Sequence, residues 1–426
     1  MPVGLKKKET KMKRKLLILM GVFGMAALLF MGSGCKKNEI SKPSTEVLNS
    51  FDTSLVEKTN DFGFNLYKKL ATEKKNSMIS PVGISLAMEM AYNGATGETR
   101  EAMAKALNIQ GIDGDRLNEN NQALLYFLTS TDPKLTLNIA NSIWMREDFK
   151  FSEAFVKTVK QDYQADAQKL DFADPKSADV INKWVKDETQ GNIDQIVTPP
   201  IDPETIMFLI NAVYFKGAWS SPFEKDLTSD QSFTLADGQS VTVPTMYQTG
   251  SFDYLKTASF QALRLPYGEN EQMAMVLFLP NEDSSLSDFQ QQLNQDNWSN
   301  WMSLFEKKEG SLMLPKFTLE YENSLNQALT DLGMGVAFQP GKADFSGMAA
   351  TDTAADIYIS DVKHKTFVQV DEAGTEAAAV TSVEISVTSM PAYDFELKFD
   401  RPFFYVIQDS KTGAIVFMGT VFDPSK

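Results

Sequence analysis

The chain has 426 residues, of which 43% are hydrophobic and 23% charged, and its formal net charge is −15. This composition is typical of a folded globular protein and excludes disordered and collagen-like chains. One Cys and one His exclude an intrachain disulfide and a zinc site built from several such ligands, and no phosphate-binding GxxxxGK[ST] loop supports nucleotide chemistry.

The first 34 residues have the order of an export signal. Seven basic residues and one Glu lie within residues 1–15, an apolar run follows from Leu16 to Met31, and small residues precede Cys35. A membrane-spanning helix is the alternative, because the uncharged stretch 16–34 is borderline in length for a span. Either Met1 or Met12 serves as the start, since the basic residues after Met12 suffice for such a signal.

This segment resembles a bacterial lipoprotein signal, with the only Cys of the chain at its end. The resemblance implies that residues 1–34 are removed and that Cys35 carries a lipid, which anchors the protein in a membrane. Residues 35–52 are then a lipidated Cys and a polar tether. We therefore expect an exported lipoprotein of the cell envelope, at the outer membrane or the cell surface.

Removal of the signal makes the chain more acidic. The formal charge becomes −21, because seven basic residues and one acidic residue are lost. Such a charge repels nucleic acid and anionic lipid head groups, and no basic helical stripe indicates a heparin site. We expect no nucleic-acid partner and membrane contact only through the lipid.

Helical patterns dominate the first part of the body. Apolar spacing predicts a helix over 53–71, and Ser80 followed by Pro81 predicts a capped helix through Tyr92. A third helix runs to Leu107, Ser152 caps another, and a further helix lies around 180–185. Residues 135–145 have the character of a strand.

Strand patterns dominate from Phe208 onward. The predicted strands are FLINAVYF, SVTVPTM, FQALRLPY, MAMVLFLP, SLMLPKFTLE, IYISDVKHKTFVQVDE, DFELKF, FFYVIQD and AIVFMGTVF, with a helix near 322–333. Helices followed by a mostly antiparallel strand system predict an α+β class. No Pro/Gly-rich linker divides residues 53–426, so we expect one domain.

Several motifs in this body resemble the serpin family. They are NSMISPVGISLAMEMAYNGATGETREAM (76–103), INKWVKDETQGNI (181–193), LINAVYFKGAW (209–219), LPKF (314–317), LTDLGM (329–334), ADFSGM (343–348), ISDVKHKTFVQVDEAGTEAAAVT (359–381), FDRPFFYVIQD (399–409) and FMGTVFDP (417–424). Their order over about 370 residues makes the resemblance specific. Gly83 departs from the usual Ser of the family, and Asn192 departs from a frequent Lys.

The resemblance implies a serpin fold, in which helices pack on a large mixed, mostly antiparallel sheet system. It also implies an exposed reactive-centre loop, here about residues 372–395. Alternation in this segment places small and aliphatic residues on one face and Glu376 and Glu384 on the other. An ordinary amphipathic strand would show the same alternation, but the family context favours a loop that can become a buried strand.

The activity implied is that of a suicide protease inhibitor, which is not an enzyme and needs no cofactor or metal. A serine protease, or in a further case a cysteine protease, would cut the loop and be trapped as an acyl-enzyme when the loop enters the main sheet. Entry begins at the hinge, which comprises Glu372, Gly374, Thr375, Glu376, Ala377, Ala378 and Ala379. A charge or Pro at Thr375 would block entry, and we expect a monomer.

Counting from Glu372 places the scissile bond at Thr388–Ser389, with Val387 and Met390 as alternatives. No Arg or Lys lies between Glu376 and Lys398, which disfavours trypsin-like targets. Small aliphatic residues favour elastase-like proteases, with subtilisin-like or chymotrypsin-like enzymes as further candidates.

The resemblance also assigns Ser80, Asn211 and His364 to a hydrogen-bonded shutter that lets the sheet part and reclose. Trp219 matches the family position where the loop enters the sheet, although its sequence context is equally compatible with an ordinary aromatic residue of the core. Two other functions stay open at this stage. One is a non-inhibitory serpin acting as a binding module, and the other is a hydrolase that uses His364.

Overall fold

The computed structural model describes residues 42–71, 74–130, 132–350, 357–375 and 393–426. The described residues from Pro43 to Lys426 form one compact unit. The predicted signal, Cys35, the hinge residues from Glu376 onward and the scissile-bond candidates lie outside the described residues.

The helices cluster in the first half of the chain, as expected. Their bounds are α1 Thr45–Asn49, α2 Thr53–Leu70, α3 Pro81–Tyr92, α4 Gly97–Ala106, α5 Gly114–Thr129, α6 Glu153–Asp162, α7 Ser177–Glu188, α8 Leu286–Gln291, α9 Gln295–Ser303 and α10 Asn326–Leu329, the last continued by irregular turns to Phe338. Ser80 and Ser152 cap α3 and α6 by accepting hydrogen bonds from Gly83 and Phe155 backbone N–H groups. Within the described ranges, no helix combines the length and apolar character needed to cross a bilayer.

The strands form two sheets. Their bounds are β1 Ser77–Ile79, β2 Leu135–Arg146, β3 Asp166–Leu170, β4 Met207–Ala218, β5 Ser229–Thr234, β6 Ser240–Lys256, β7 Phe260–Tyr267, β8 Met273–Pro280, β9 Glu306–Pro315, β10 Phe317–Ser324, β11 Asp361–Asp371, β12 Gly374–Thr375, β13 Phe395–Lys398, β14 Phe403–Asp409 and β15 Ile415–Val421. A six-stranded sheet has the order β10-β11-β12-β4-β2-β3, and a nine-stranded sheet contains the others. Antiparallel pairs predominate, so the fold is α+β, as predicted.

Three local predictions differ from the structure. SLMLPKFTLE is not one strand, because β9 ends at Pro315 and pairs with β6, whereas β10 pairs with β11 in the other sheet. Residues 322–324 continue β10, so the helix predicted near 322–333 begins only at Asn326. The strand expected from Ile357 begins at Asp361.

A short helix also lies inside the segment interpreted as a tether. This helix, α1, is capped by Ser44, and the backbone N–H of Asp52 donates to Asn120 Oδ1 in α5 at 2.7 Å. The end of the segment is therefore attached to the folded body.

Two apolar cores flank the six-stranded sheet. The larger lies between the sheets and contains helix α3, whose residues are all buried. The smaller covers the opposite face of the six-stranded sheet, where Ile181 and Val185 of α7 pack with Phe208 and Ile210 of β4. Helix α7 thus lies across the strands that bound the candidate site.

Candidate functional site

The six-stranded sheet contains a gap between β4 and β11. These two strands pair directly, in parallel, from Phe208 with Asp361 up to Tyr214 with Phe367. Beyond that point they separate, and the two-residue strand β12 lies between them. The sheet therefore already holds the first residues of a further strand.

Thr375 is the second residue of β12 and is fully buried. Its Oγ1 lies 2.7 Å from the hydroxyl of Tyr267, and burial keeps the pKa of Tyr267 well above its ordinary value. The Tyr267 ring stacks on Trp219 with a centroid distance of 4.3 Å. Trp219 in turn donates from Nε1 to the carbonyl of Asp371 at 2.9 Å, which places its ring beside β12.

Gly374 is required by the close approach of β4. Its φ is 144°, and a Cβ built on it would lie 2.1 Å from the carbonyl oxygen of Gly217. Only glycine avoids this collision with the backbone.

Glu372 fixes the start of the hinge. Its side chain is nearly buried, and its two oxygens accept hydrogen bonds from Thr228 Oγ1 at 2.8 Å and Lys316 Nζ at 2.9 Å. Burial opposes the charge, but the bonds from Lys316 and Thr228 outweigh it and hold the pKa of Glu372 below its ordinary value. The hinge is therefore clamped immediately before it enters the gap.

The three predicted shutter residues lie together below the gap. His364 of β11 is fully buried, its Nε2 accepts from the backbone N–H of Ser80 at 3.1 Å, and its Nδ1 donates to Asn211 Oδ1 at 2.7 Å. Burial lowers the pKa of His364 to about 3, so the ring is neutral at physiological pH. The ring thus joins β11, β4 and the start of α3.

The hydrogen bonds of this cluster involve one backbone group and one additional side chain. Ser80 contributes its backbone N–H, because its hydroxyl is occupied as the cap of α3. Asn211 Nδ2 donates to Asn141 Oδ1 of β2 at 2.7 Å, which adds a fourth member that the sequence reasoning missed. Asn141 carries the same signal as Asn211, an amide within an apolar strand, and that signal could have found it.

Gly83 packs so closely against β4 that no larger residue fits at this position without a collision. A Cβ at this position would lie 2.7 Å from Asn211 Nδ2 and 2.8 Å from Val213 Cγ2. We expect Gly83→Ala to lower the free energy of unfolding by about 1–3 kcal/mol through overpacking. Gly114→Ala is the matched control, since its nearest neighbour outside α5 would be 3.7 Å away, and it should leave the thermal midpoint unchanged or higher. Equal midpoints for the two variants would contradict the overpacking.

The buried His364 also predicts an acid sensitivity. Because its folded-state pKa is about 3 and its ordinary value is 6.5, its stabilisation is complete above pH 6.5 and is lost as the pH falls toward 3. His364→Gln keeps a donor and an acceptor but cannot titrate. Between pH 6.5 and 4, we expect the wild type to lose about 1.4 kcal/mol of unfolding free energy per pH unit relative to the variant. The thermal midpoint of the wild type should fall accordingly. Parallel pH profiles would rule this out.

The remaining predicted site residues cannot be placed in the described part of the chain. The hinge residues Glu376, Ala377, Ala378 and Ala379 and the bond candidates Val387, Thr388, Ser389 and Met390 lie outside the described residues. In the described part of the chain, no group of three or more His, Cys, Asp or Glu side chains is placed to bind a metal ion.

Fold and site together define a class of protein in which a short segment of the chain lies between two strands that are otherwise direct parallel neighbours. Residues 57–424 match the profile of the family Serpin (serine protease inhibitor), so the chain belongs to the serpin family. Serpin B6 of Pongo abelii is 36% identical over 382 residues, covering 87% of this chain and 99% of that protein.

Two further proteins extend the comparison. The leukocyte elastase inhibitor of Xenopus laevis is 33% identical and covers 85% of this chain and 97% of its own length. The crystal structure of the thermophilic serpin tengpin in its native state is 37% identical, with a TM-score of 0.81 over 88% of this chain and 95% of tengpin. The serpin fold expected from the motifs is thereby confirmed.

Proposed function

We propose that this chain is a suicide inhibitor of serine proteases. The observation that carries the proposal is the position of Gly374 and Thr375, which already lie between β4 and β11 at the mouth of the gap. A hinge that is part of the sheet before cleavage needs no further step to begin insertion. A protease would cut the reactive-centre loop and stay attached to it as an acyl-enzyme. As the loop residues after Thr375 insert between β4 and β11, the attached protease would move with them.

The register of β12 predicts where those residues go. Thr375 pairs with Val370 and Gly217, so Glu376 would lie between Gln369 and Lys216, and its charge would meet a cation on the outer face of the sheet. Continuing the register, residue 378 would meet the Tyr214–Phe367 pair and residue 384 the Phe208–Asp361 pair. The odd-numbered positions, which are small at first and aliphatic later, would face the core as Thr375 does.

This register makes insertion favourable. Residues 376 and 377 enter where β4 and β11 are already apart, and each residue from 378 to 384 replaces one direct pairing by two. For the nine residues 376–384 at about 1 kcal/mol each, the gain is roughly 10 kcal/mol before side-chain burial. The uncut protein would therefore be a kinetically trapped state.

Small aliphatic residues around Thr388–Ser389 support an elastase-like target. Leukocyte elastase inhibitor is the name of one relative, and no Arg or Lys occurs between Glu376 and Lys398 to attract a trypsin-like enzyme. Subtilisin-like and chymotrypsin-like serine proteases are the other candidate targets. Cysteine proteases are a second class of candidate target.

The same proposal includes a location. A lipid on Cys35 would hold an exported, monomeric inhibitor at the cell envelope, and the residues up to Ser44 would separate it from the membrane. Metabolic labelling with palmitate should mark the wild type and fail to mark Cys35→Ser.

The test incubates residues 36–426 with elastase, subtilisin, chymotrypsin and trypsin. An inhibitor gives a protease-containing band that resists SDS, and the mass of the released C-terminal peptide identifies the scissile bond. Cleavage by every enzyme without such a band, and without a rise in thermal midpoint, would contradict inhibition and favour a non-inhibitory binding module.

A further inference from the structure

A second buried polar cluster lies along helix α3, away from the shutter. Glu89 is only 2% exposed. Its Oε1 lies 2.9 Å from Ser85 Oγ, and its Oε2 accepts from Asn121 Nδ2 at 2.5 Å. We refer to Ser85, Glu89, Asn93, Asn118, Asn121 and Tyr163 as the Glu89 cluster.

The Glu89 cluster connects three helices. Tyr163, directly after α6, donates from its hydroxyl to Asn118 Oδ1 of α5 at 2.7 Å. Asn93, directly after α3, donates to the same oxygen at 3.0 Å and accepts from Asn118 Nδ2 at 3.0 Å. Polar contacts that fix α5 and α6 on α3 therefore pass through one buried group of side chains.

The helices facing Glu89 supply amides and a neutral phenol. Burial raises the pKa of Tyr163 well above its ordinary value, and the charge of Glu89 acts in the same direction. Asp162 beside it is half-buried, and burial together with Asp115 and Glu119 of α5 raises its pKa, although Lys157 of α6 acts in the other direction. Lys157 is the one cation among these groups, and it lies at an exposed position.

The other elements packed on α3 are α2, α4, β2, β4 and β15. Strand β15 contains no charged residue, and those of α2 all lie at partly or fully exposed positions, namely Glu57, Lys58, Asp61, Lys68 and Lys69. Arg100 of α4 donates to the carbonyls of Tyr92 and Ala95, and its guanidinium covers the Tyr92 ring. The stretches 135–145 of β2 and 207–215 of β4 contain no charged residue. Among the described residues, Glu89 has no ion-pair partner.

A carboxyl in such a place favours its neutral form. Burial raises the pKa of Glu89 to about 7, although Ser85 and Asn121 act in the other direction. The Nδ2 group of Asn121, which faces Oε2, can only donate, so the acidic proton belongs on Oε1, where the hydroxyl of Ser85 can accept it. Loss of this proton leaves a carboxylate without a cation in a water-excluded site.

We propose that the Glu89 cluster is a proton-operated latch. The protonated carboxyl holds α5 and α6 on α3, and loss of the proton loosens both helices. Since α5 leads into β2 and α6 connects β2 to β3, this release acts on the strands on one side of the gap. The latch is a property of the uncut protein and does not depend on inhibition.

Hydrogen exchange of the full chain tests the latch through the local opening of α5. With a pKa of about 7 when the helix is docked and an ordinary value of 4.5 when it is released, the stabilising proton is fully effective below pH 4.5 and is lost as the pH rises through 7. After correction for intrinsic rates, we expect the opening constant of α5 to rise by tens of fold between pH 5 and 8.5. Amides of β15 should show no comparable rise.

Glu89→Gln should abolish this rise, because it keeps the shape and hydrogen bonds of the neutral acid. Glu101→Gln, at an exposed position of α4, is the matched control and should behave as the wild type. Equal pH dependence in Glu89→Gln and the wild type would overturn the latch.

An infrared measurement on the wild type covers the case in which Glu89→Gln does not fold. A protonated carboxyl in a dry site should give a carbonyl band at pH 6 that disappears at pH 8.5. Absence of this band at pH 6 would equally overturn the proposal.

Discussion

Under the proposed function, Thr375→Arg is expected to turn the protein from an inhibitor into a substrate of the protease. Thr375 is fully buried between β4 and β11, with its hydroxyl on Tyr267, and insertion must pass through this position. An unpaired guanidinium there would cost several kcal/mol, so the hinge would leave the sheet instead. The band that resists SDS should fall at least tenfold, while cleavage at the same bond continues.

Two variants give the scale of this effect. Thr375→Ser keeps the hydroxyl and should inhibit as the wild type does. Tyr267→Phe removes one hydrogen bond, worth about 1 kcal/mol, and should weaken trapping only slightly. If Thr375→Arg formed as much covalent complex as Thr375→Ser, entry of the hinge at β12 would be refuted.

Lys316→Met is expected to destabilise the mouth of the gap. It leaves the carboxylate of Glu372, whose side chain is 8% exposed, with Thr228 as its remaining hydrogen-bonding side chain. Breaking a buried pair in this way costs about 3–5 kcal/mol, and since the Lys316 side chain is 35% exposed we expect about 2–3 kcal/mol. Native-state hydrogen exchange around β12 and the thermal midpoint should both report the loss.

A double-mutant cycle separates the lost pair from the stranded charge. Glu372→Gln combined with Lys316→Met should recover part of the stability, because no uncompensated charge remains. Lys307→Met is the matched control, since its pair with Asp253 is largely exposed and should be worth less than about 1 kcal/mol. An effect of Lys307→Met as large as that of Lys316→Met would contradict the role of burial.

Local signals in the sequence predicted the elements whose ends have chemical markers. Ser80 and Ser152 mark helix starts because a hydroxyl before an apolar period satisfies free backbone N–H groups. Helix α5 escaped prediction because its buried face includes Asn118 and Asn121, which a sequence pattern assigns to the surface. Their burial depends on Glu89 and Tyr163, which come from other helices.

Long-range pairing accounts for the other differences. The buried alternation in SLMLPKFTLE shifts by one residue between Leu314 and Phe317, and the partners β6 and β11 then divide the segment between two sheets. The small residues of the hinge indicate that Thr375 can enter a sheet. That it lies there before cleavage depends on how far apart β4 and β11 are, which no local pattern encodes.

Helix α3 connects two buried groups with opposite proton preferences. Folding releases a proton from His364 between pH 3 and 6.5, and it takes up a proton at Glu89 between pH 4.5 and 7. Between pH 4.5 and 6.5 the two exchanges cancel, so the folded chain gains almost no net proton from this pair. The joint contribution of His364 and Glu89 to stability should therefore stay nearly level between these pH values, because the loss at one group offsets the gain at the other. A flat stability profile would then be the signature of two compensating sites, each visible only when the other is neutralised by mutation.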